Sequence, residues 1–188
     1  MVVMGTPGTG KTTVSRLLAS RMKALHVDLG ELVAAEKLFS SVDRKRKSLV
    51  ADIPRVARRV REIIGKSRRS IIIDGHYVAD IVPFDSVHLA FVLRCDPDKL
   101  KKRLESEGVK GEKNLENVAA EILDVCLWDA VNAYGVKKIC EIDTSNKKPE
   151  DVVKEILAVL RGKIKATIGK VDWLKKLEEE GRVREFLG

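Results

Sequence analysis

The sequence predicts an α/β domain built on a parallel sheet of five strands. Three observations predict it. Apolar runs of strand length alternate with stretches of helical period along most of the chain. One of these runs, at 71–73, is apolar without interruption, which suits a strand covered on both faces. The 188 residues are 44% hydrophobic and 34% charged, a globular mix long enough to bury one core without a staple. Parallel neighbours joined through helices imply right-handed crossovers.

The elements are justified in chain order. Residues 2–4 are a short apolar run entering a Gly-rich turn. A helix over 12–22 places Val14, Leu17, Leu18 and Met22 on one face. A second strand at 24–29 leads into a helix over 30–39, apolar at Leu32, Val33, Ala35 and Leu38. A basic amphipathic helix over 52–65 turns Val56, Val60, Ile63 and Ile64 inward, with Asp52 placed as its cap and Pro54 in its first turn. Strands follow at 71–73 and 88–93. A helix over 96–107 has Asp96 as cap and Pro97 as first helical residue, and a long helix over 114–134 is ended by Gly135. The fifth strand is 138–142, and a helix over 149–160 closes a domain assigned to 1–162. Residues 163–188 read as a linker and a docking helix, with Trp173, Leu174, Leu177 and Phe186 in an apolar stripe that Gly181 is placed to break.

The most specific signal is Gly5-Thr6-Pro7-Gly8-Thr9-Gly10-Lys11-Thr12, a complete G-x-x-x-x-G-K-[ST] phosphate-binding motif. Its context fits, because a strand precedes it and a helix follows. Gly8 and Gly10 let backbone N–H groups close around phosphate oxygens. The helix beginning near Lys11 aims its positive end at the phosphates. Lys11 supplies a point charge for the β and γ phosphates, Thr12 a hydroxyl for Mg²⁺, and Thr13 a contact to the α-phosphate. The cofactor expectation is therefore ATP with Mg²⁺.

The strand at 71–73 ends in Asp74, a carboxylate placed to hold Mg²⁺ through its water. Two residues on, His76 has two readings. It positions water, takes a proton or meets the γ-phosphate, or it is a loop histidine with a structural hydrogen bond. His26 and His88 flank apolar runs and read as structural.

The phosphate motif with Thr13, the Asp74-x-His76 pair, Phe91-Val92-Leu93-Arg94 and the stretch from Ser145 to Glu150 together resemble the adenylate kinase isoenzyme six family. These are P-loop nucleoside monophosphate kinases that are also ATPases of small-subunit ribosome assembly. The resemblance spans about 1–160. It implies the P-loop nucleoside-monophosphate-kinase fold, with a mobile monophosphate segment at about 30–49 and a lid at about 103–114. It places Arg103 on the transferred phosphate, the loop holding Ser145 and Asn146 on the adenine, and Asp74 and His76 in ATP turnover. Its implied partners are nucleotide substrates, small-subunit ribosomal protein eleven and small-subunit rRNA, in rRNA processing and subunit maturation. No apolar run approaches the ~18 residues of a membrane span, and the unpaired cysteine pattern fits a reducing cytoplasm. A soluble cytoplasmic protein with no membrane partner is therefore expected, a monomer or transient heterodimer. Two family arginines are missing, one where Ala34 stands and one near Glu107. Lys110 and Lys113 lack the planar fork that would replace them. This puts AMP phosphorylation in question and leaves ATP binding and slow hydrolysis in place. Two other readings remain: a P-loop kinase with a non-nucleotide acceptor, and an RNA- or protein-binding assembly factor with negligible turnover.

The net charge is +8, from 36 Lys and Arg against 28 Asp and Glu. Residues 43–69 carry the whole surplus, with eleven basic side chains against Asp43, Asp52 and Glu62. Three readings hold for Arg44, Arg46, Arg55, Arg58 and Arg59: a solvated helix face, an RNA-phosphate or acidic-partner site, or a substitute monophosphate clamp by Arg44, Arg46 or Arg55. Aromatics are only 4%, which argues against a stacking platform for single strands. Cys95, Cys126 and Cys140 are odd in number and widely spaced, so they indicate neither a disulfide framework nor a zinc site. They are expected near the core.

Overall fold

Alternation of side chains along each strand divides the interior into two layers. In the computed structural model, which describes residues 1–43 and 48–188, the strands are β1 (Val2–Met4), β2 (Leu25–Asp28), β3 (Phe39–Asp43), β4 (Ser48–Ala51), β5 (Ile71–Asp74), β6 (Ala90–Arg94) and β7 (Ile139–Asp143). Five of them form a parallel sheet in the order β2-β5-β1-β6-β7. Val2, Met4, Ile73, Ala90 and Val92 face one layer; Val3, Ile72, Phe91 and Leu93 face the other. Both layers are covered, so the central strands are apolar throughout.

The helices are α1 (Lys11–Met22), α2 (Leu29–Ala35), α3 (Ile53–Lys66), α4 (Val78–Ile81), α5 (Pro97–Ser106), α6 (Glu112–Ile122), α7 (Val125–Tyr134), α8 (Pro149–Leu160), α9 (Trp173–Glu179) and α10 (Val183–Leu187). One layer holds Val56 and Val60 of α3 with Ala130 and Tyr134 of α7. The other holds Val14 and Leu18 of α1 with Val152 and Ile156 of α8. The caps act as their chemistry requires. Asp52 accepts the Arg55 N–H at 3.2 Å and Asp96 the Lys99 N–H at 3.3 Å. A third apolar cluster joins Leu100, Leu104, Val118 and Ile122 to Leu177 of α9 and Phe186 of α10, with Gly181 in the left-handed region between the two helices. All three cysteines are buried and unpaired.

Two expectations need correction. The helix over 30–39 ends at Ala35, because Lys37 turns left-handed at φ 53° and carries Leu38 back into the core. Phe39–Asp43 then pairs antiparallel with Ser48–Ala51, a hairpin the helical pattern concealed. The expected sites Arg44 and Arg46 lie outside the described residues. The helix over 114–134 is two helices, separated at Asp124, which is left-handed at φ 58°. The break has a polar cause. Arg94 is buried at the end of β6, and its Nη2 bonds the Asp124 carboxylate. Its Nε and Nη1 bond Glu121 at 2.8 Å and Glu141 at 2.7 Å. Burying that guanidinium is tolerable only with carboxylates around it, and Asp124 leaves the helical path to supply one. Among the described residues no helix is long and apolar enough to cross a membrane.

Candidate nucleotide and phosphoryl-transfer site

Residues 5–10 connect the C-terminal end of β1 to the first turn of α1, at the sheet edge where open α/β folds bind ligands. Gly10 caps α1 with φ 92°, and no side chain caps the helix N-terminus, which leaves its N–H groups for an anion. Gly8 sits at φ 85°, where a Cβ would meet Leu100 at 2.9 Å and Leu104 at 3.0 Å. Helix α5 therefore lies directly against the loop.

Lys11 Nζ donates to the Thr6 carbonyl at 3.0 Å. Burial holds the Lys11 ammonium below its usual pKa, against the pull of Cys126, Asp74, Glu121 and Asp28. The Thr12 hydroxyl lies 2.9 Å from Asp74 Oδ2 and 3.0 Å from Asp28 Oδ2. The register explains this: β2 and β5 pair in parallel with Asp28 opposite Asp74. Asp74 is buried, and its other oxygen meets His26 Nε2 at 2.5 Å. A hydroxyl between two carboxylates is a hard oxygen donor set suited to Mg²⁺. Among the described residues no group of three or more His, Cys, Asp or Glu could hold a metal alone, so the remaining ligands would be phosphate oxygens and water.

Two hollows meet at the loop. One, of about 650 Å³, is lined by Thr6, Pro7, Gly30, His76, Tyr77, Asp80, Lys113, Asn117 and Asp129 among others. The second, of about 280 Å³, is lined by Gly8, Thr9, Gly10, Thr13, Arg103, Thr144 and Lys147 among others. Glu107 reaches both. Desolvation, with the charges of Lys11 and Lys113, pushes His76 down to about 4, so it is neutral at pH 7. Burial and Asp80 together raise the Asp129 carboxyl.

This geometry has named relatives. A family model described as an AAA domain matches residues 1–124. A Methanocaldococcus jannaschii protein described as "Putative adenylate kinase" is 40% identical over 176 residues, 94% of this chain and 93% of that one. One from Thermococcus onnurineus with the same description is 38% identical over 185 residues, 98% of this chain and 95% of that one. The chain belongs to this adenylate-kinase-like family. Shikimate kinase from Acinetobacter baumannii shares the fold, with a TM-score of 0.64 at 14% identity over 86% of this chain and 92% of that one.

Within this family member, Lys11, Thr12 and Asp74 come together at the loop as their motifs imply. Gly8, Gly10 and Thr13 line the smaller hollow with Arg103, whose Nη2 donates to the Thr144 carbonyl at 3.1 Å. His76 does not continue the strand. β5 stops at Asp74, and His76 stands beyond it in the larger hollow, edge-on to Tyr77 with ring centres 4.4 Å apart. Ser145 does not face the hollow. Its hydroxyl accepts the Asp96 N–H at 2.7 Å and bonds the Asp143 carboxylate, which fixes it as a loop brace. Asn146 is exposed, and its carbonyl oxygen takes the Lys99 ammonium. Thr144 and Lys147 line the hollow there instead. Arg55 and Arg58 lie exposed on α3, while Arg59 is paired with Glu36 at 2.8 Å and Glu62 at 3.3 Å.

Two residues escaped the sequence reading. Asp28 was legible only through register, since β2 ends level with β5; His26, read as structural, lies two residues before it on the same face and braces Asp74. Glu121 had no signal in its own neighbourhood. It is buried on α6 and accepts the Thr6 hydroxyl at 2.7 Å.

Proposed function

We propose that this protein transfers the γ-phosphoryl group of ATP to a nucleoside monophosphate, AMP first among them, with Mg²⁺. The observation that carries this is the Thr12 hydroxyl held between Asp28 and Asp74 beside a phosphate loop that separates two hollows. The smaller hollow takes the nucleoside of ATP, and the larger takes the acceptor. The Lys11 ammonium leaves the Thr6 carbonyl for the β and γ phosphates, and the N–H groups of the loop and of α1 receive phosphate oxygens. Mg²⁺ held at Thr12, Asp28 and Asp74 would neutralise charge on those oxygens. An oxygen of the acceptor phosphate attacks the γ-phosphorus, the bond to the bridging oxygen breaks, and ADP leaves. Neutral His76 orients the acceptor or water without adding charge.

The test is ADP formation from ATP with and without AMP. AMP is expected to raise the rate, and Lys11→Ala to lower it by ~100-fold or more. Turnover surviving in Lys11→Ala would refute the loop assignment. An AMP-independent rate would leave hydrolysis, the activity implied by the resemblance to the isoenzyme six family. That resemblance also extends the reading to small-subunit ribosome maturation. Its support in this chain is the basic face of α3, where Arg55, Arg58 and Arg61 are exposed.

A second reading has an observation of its own. The larger hollow presents Asp80 and Asp129, which favour hydroxyls over a phosphate dianion. A panel of polyol acceptors decides it, since turnover of one of them above that of AMP replaces the nucleotide acceptor.

A further inference from the structure

We infer that Glu121 is a positioning residue for the phosphate loop, and that through it the docked C-terminal segment sets the loop's state. The inference rests on the reading of the loop as an ATP site. The Glu121 carboxylate is 1% exposed and fully engaged. One oxygen accepts the Thr6 hydroxyl at 2.7 Å. The other accepts Arg94 Nε at 2.8 Å, the Cys95 N–H at 3.0 Å and the Trp173 indole N–H at 3.2 Å. The loop and the C-terminal segment thus share one buried anion.

Thr6 is the joint. Its carbonyl receives the Lys11 ammonium at 3.0 Å and the Thr9 hydroxyl at 2.8 Å. When Lys11 moves to a phosphate, Thr6 loses the cation at one end while Glu121 still holds the other. A carboxylate with four donors in the interior cannot shift without leaving a partner unpaired. A shift of Thr6 therefore pulls on Glu121 and loosens its other donors, the Trp173 indole among them. Trp173 is itself held, because its segment is clamped onto the start of α5 by Lys176 to Asp96 at 2.6 Å and Arg182 to Asp98 at 2.8 Å. The Lys170 N–H adds a bond to Glu141 at 2.8 Å, on the far side of Arg94.

The experiment uses the full chain. The protein has two tryptophans, and Trp128 is 63% exposed, so Trp128→Phe leaves Trp173 as the sole indole. ATP with Mg²⁺ is titrated by calorimetry and by Trp173 emission together. The emission change is expected to share the calorimetric midpoint. Thr6→Val, which keeps the shape and removes the donor, is expected to weaken ATP binding about tenfold and abolish the emission change, and Thr6→Ser to restore both. Glu121→Gln, where it folds, should match Thr6→Val. ATP bound with no emission change, or Thr6→Val binding as tightly as the parent, would overturn the inference and leave the proposed function standing. No heat of ATP binding in the parent would overturn both.

Discussion

Asp28, Asp74 and Thr12 are tied together at the C-terminal edge of the sheet by their hydrogen bonds. Thr12 has one proton for two carboxylate oxygens at 2.9 and 3.0 Å, so it satisfies only one of them and leaves the other open to a cation. Asp74→Asn and Asp28→Asn are each expected to raise the Mg²⁺ concentration for half-maximal rate by about tenfold or more, read from a Mg²⁺ titration of activity. A half-maximal Mg²⁺ concentration equal to the parent's in both variants would remove the metal role. His76 supplies a second prediction. Its imidazole is held neutral by desolvation and by the Lys11 and Lys113 ammoniums, with a value of about 4 against an ordinary 6.5. NMR titration of its ring protons should show a midpoint near pH 4 in the free protein, moving up when the ATP polyanion binds beside it. A midpoint near 6.5 would show that His76 is neither desolvated in the hollow nor close to the Lys11 and Lys113 ammoniums. The sign for stability follows: the unfolded chain protonates this histidine first, so its contribution is present above pH 6.5 and is lost as pH falls towards 4. At this scale motifs made Lys11, Thr12 and Asp74 legible. Asp28 and Glu121 were hidden, because each depends on a neighbour distant in sequence, as does the bond from His26 to Asp74.

Elements show the same division between local and distant causes. The caps at Asp52 and Asp96 and the prolines behind them are local chemistry, so α3 and α5 begin where their sequences say. The split between α6 and α7 is not local. Residues 114–134 keep a helical period across Asp124, and only the buried Arg94, 30 positions away, explains why Asp124 turns left-handed. Likewise the β3–β4 hairpin follows from Lys37 ending α2, in a stretch whose apolar spacing suits a helix. Asp124 therefore carries a prediction. Asp124→Asn keeps a side chain tolerant of φ 58°, and Asp124→Ala does not. Both lose a charge on Arg94. Asp124→Ala should destabilise the fold by about 2 kcal/mol and exceed Asp124→Asn by about 1 kcal/mol, measured by urea unfolding. Equal losses would assign the whole effect to the ion pair.

Over the whole molecule, the sheet's covered faces and the uneven charge are separate consequences of one pattern. Continuous apolar strands demanded helices on both sides, and so a parallel sheet of five strands was legible before any contact was known, though not the order of its strands. The position of the surplus charge was legible too, but its use was not, because a basic helix looks alike whether it faces water or a polyanion. The fold narrows the choice. Helix α3 buries Val56, Ala57 and Val60 against the sheet, and Glu36 and Glu62 occupy Arg59. Arg58 and Arg61 are exposed with Arg55, whose only near carboxylate among the described residues is Asp52 at 3.9 Å. Three exposed guanidinium groups on one helix are a basic surface that folding does not need. Arg55→Glu, Arg58→Glu and Arg61→Glu combined should leave the melting temperature close to the parent's. If this face binds RNA, the variant should lose affinity for small-subunit rRNA and flatten the log–log salt slope by about 2–3, as the loss of three phosphate contacts requires. Filter binding across a salt series reads both quantities. An unchanged slope would make the face solvated only, and the surplus charge would then serve solubility rather than a partner.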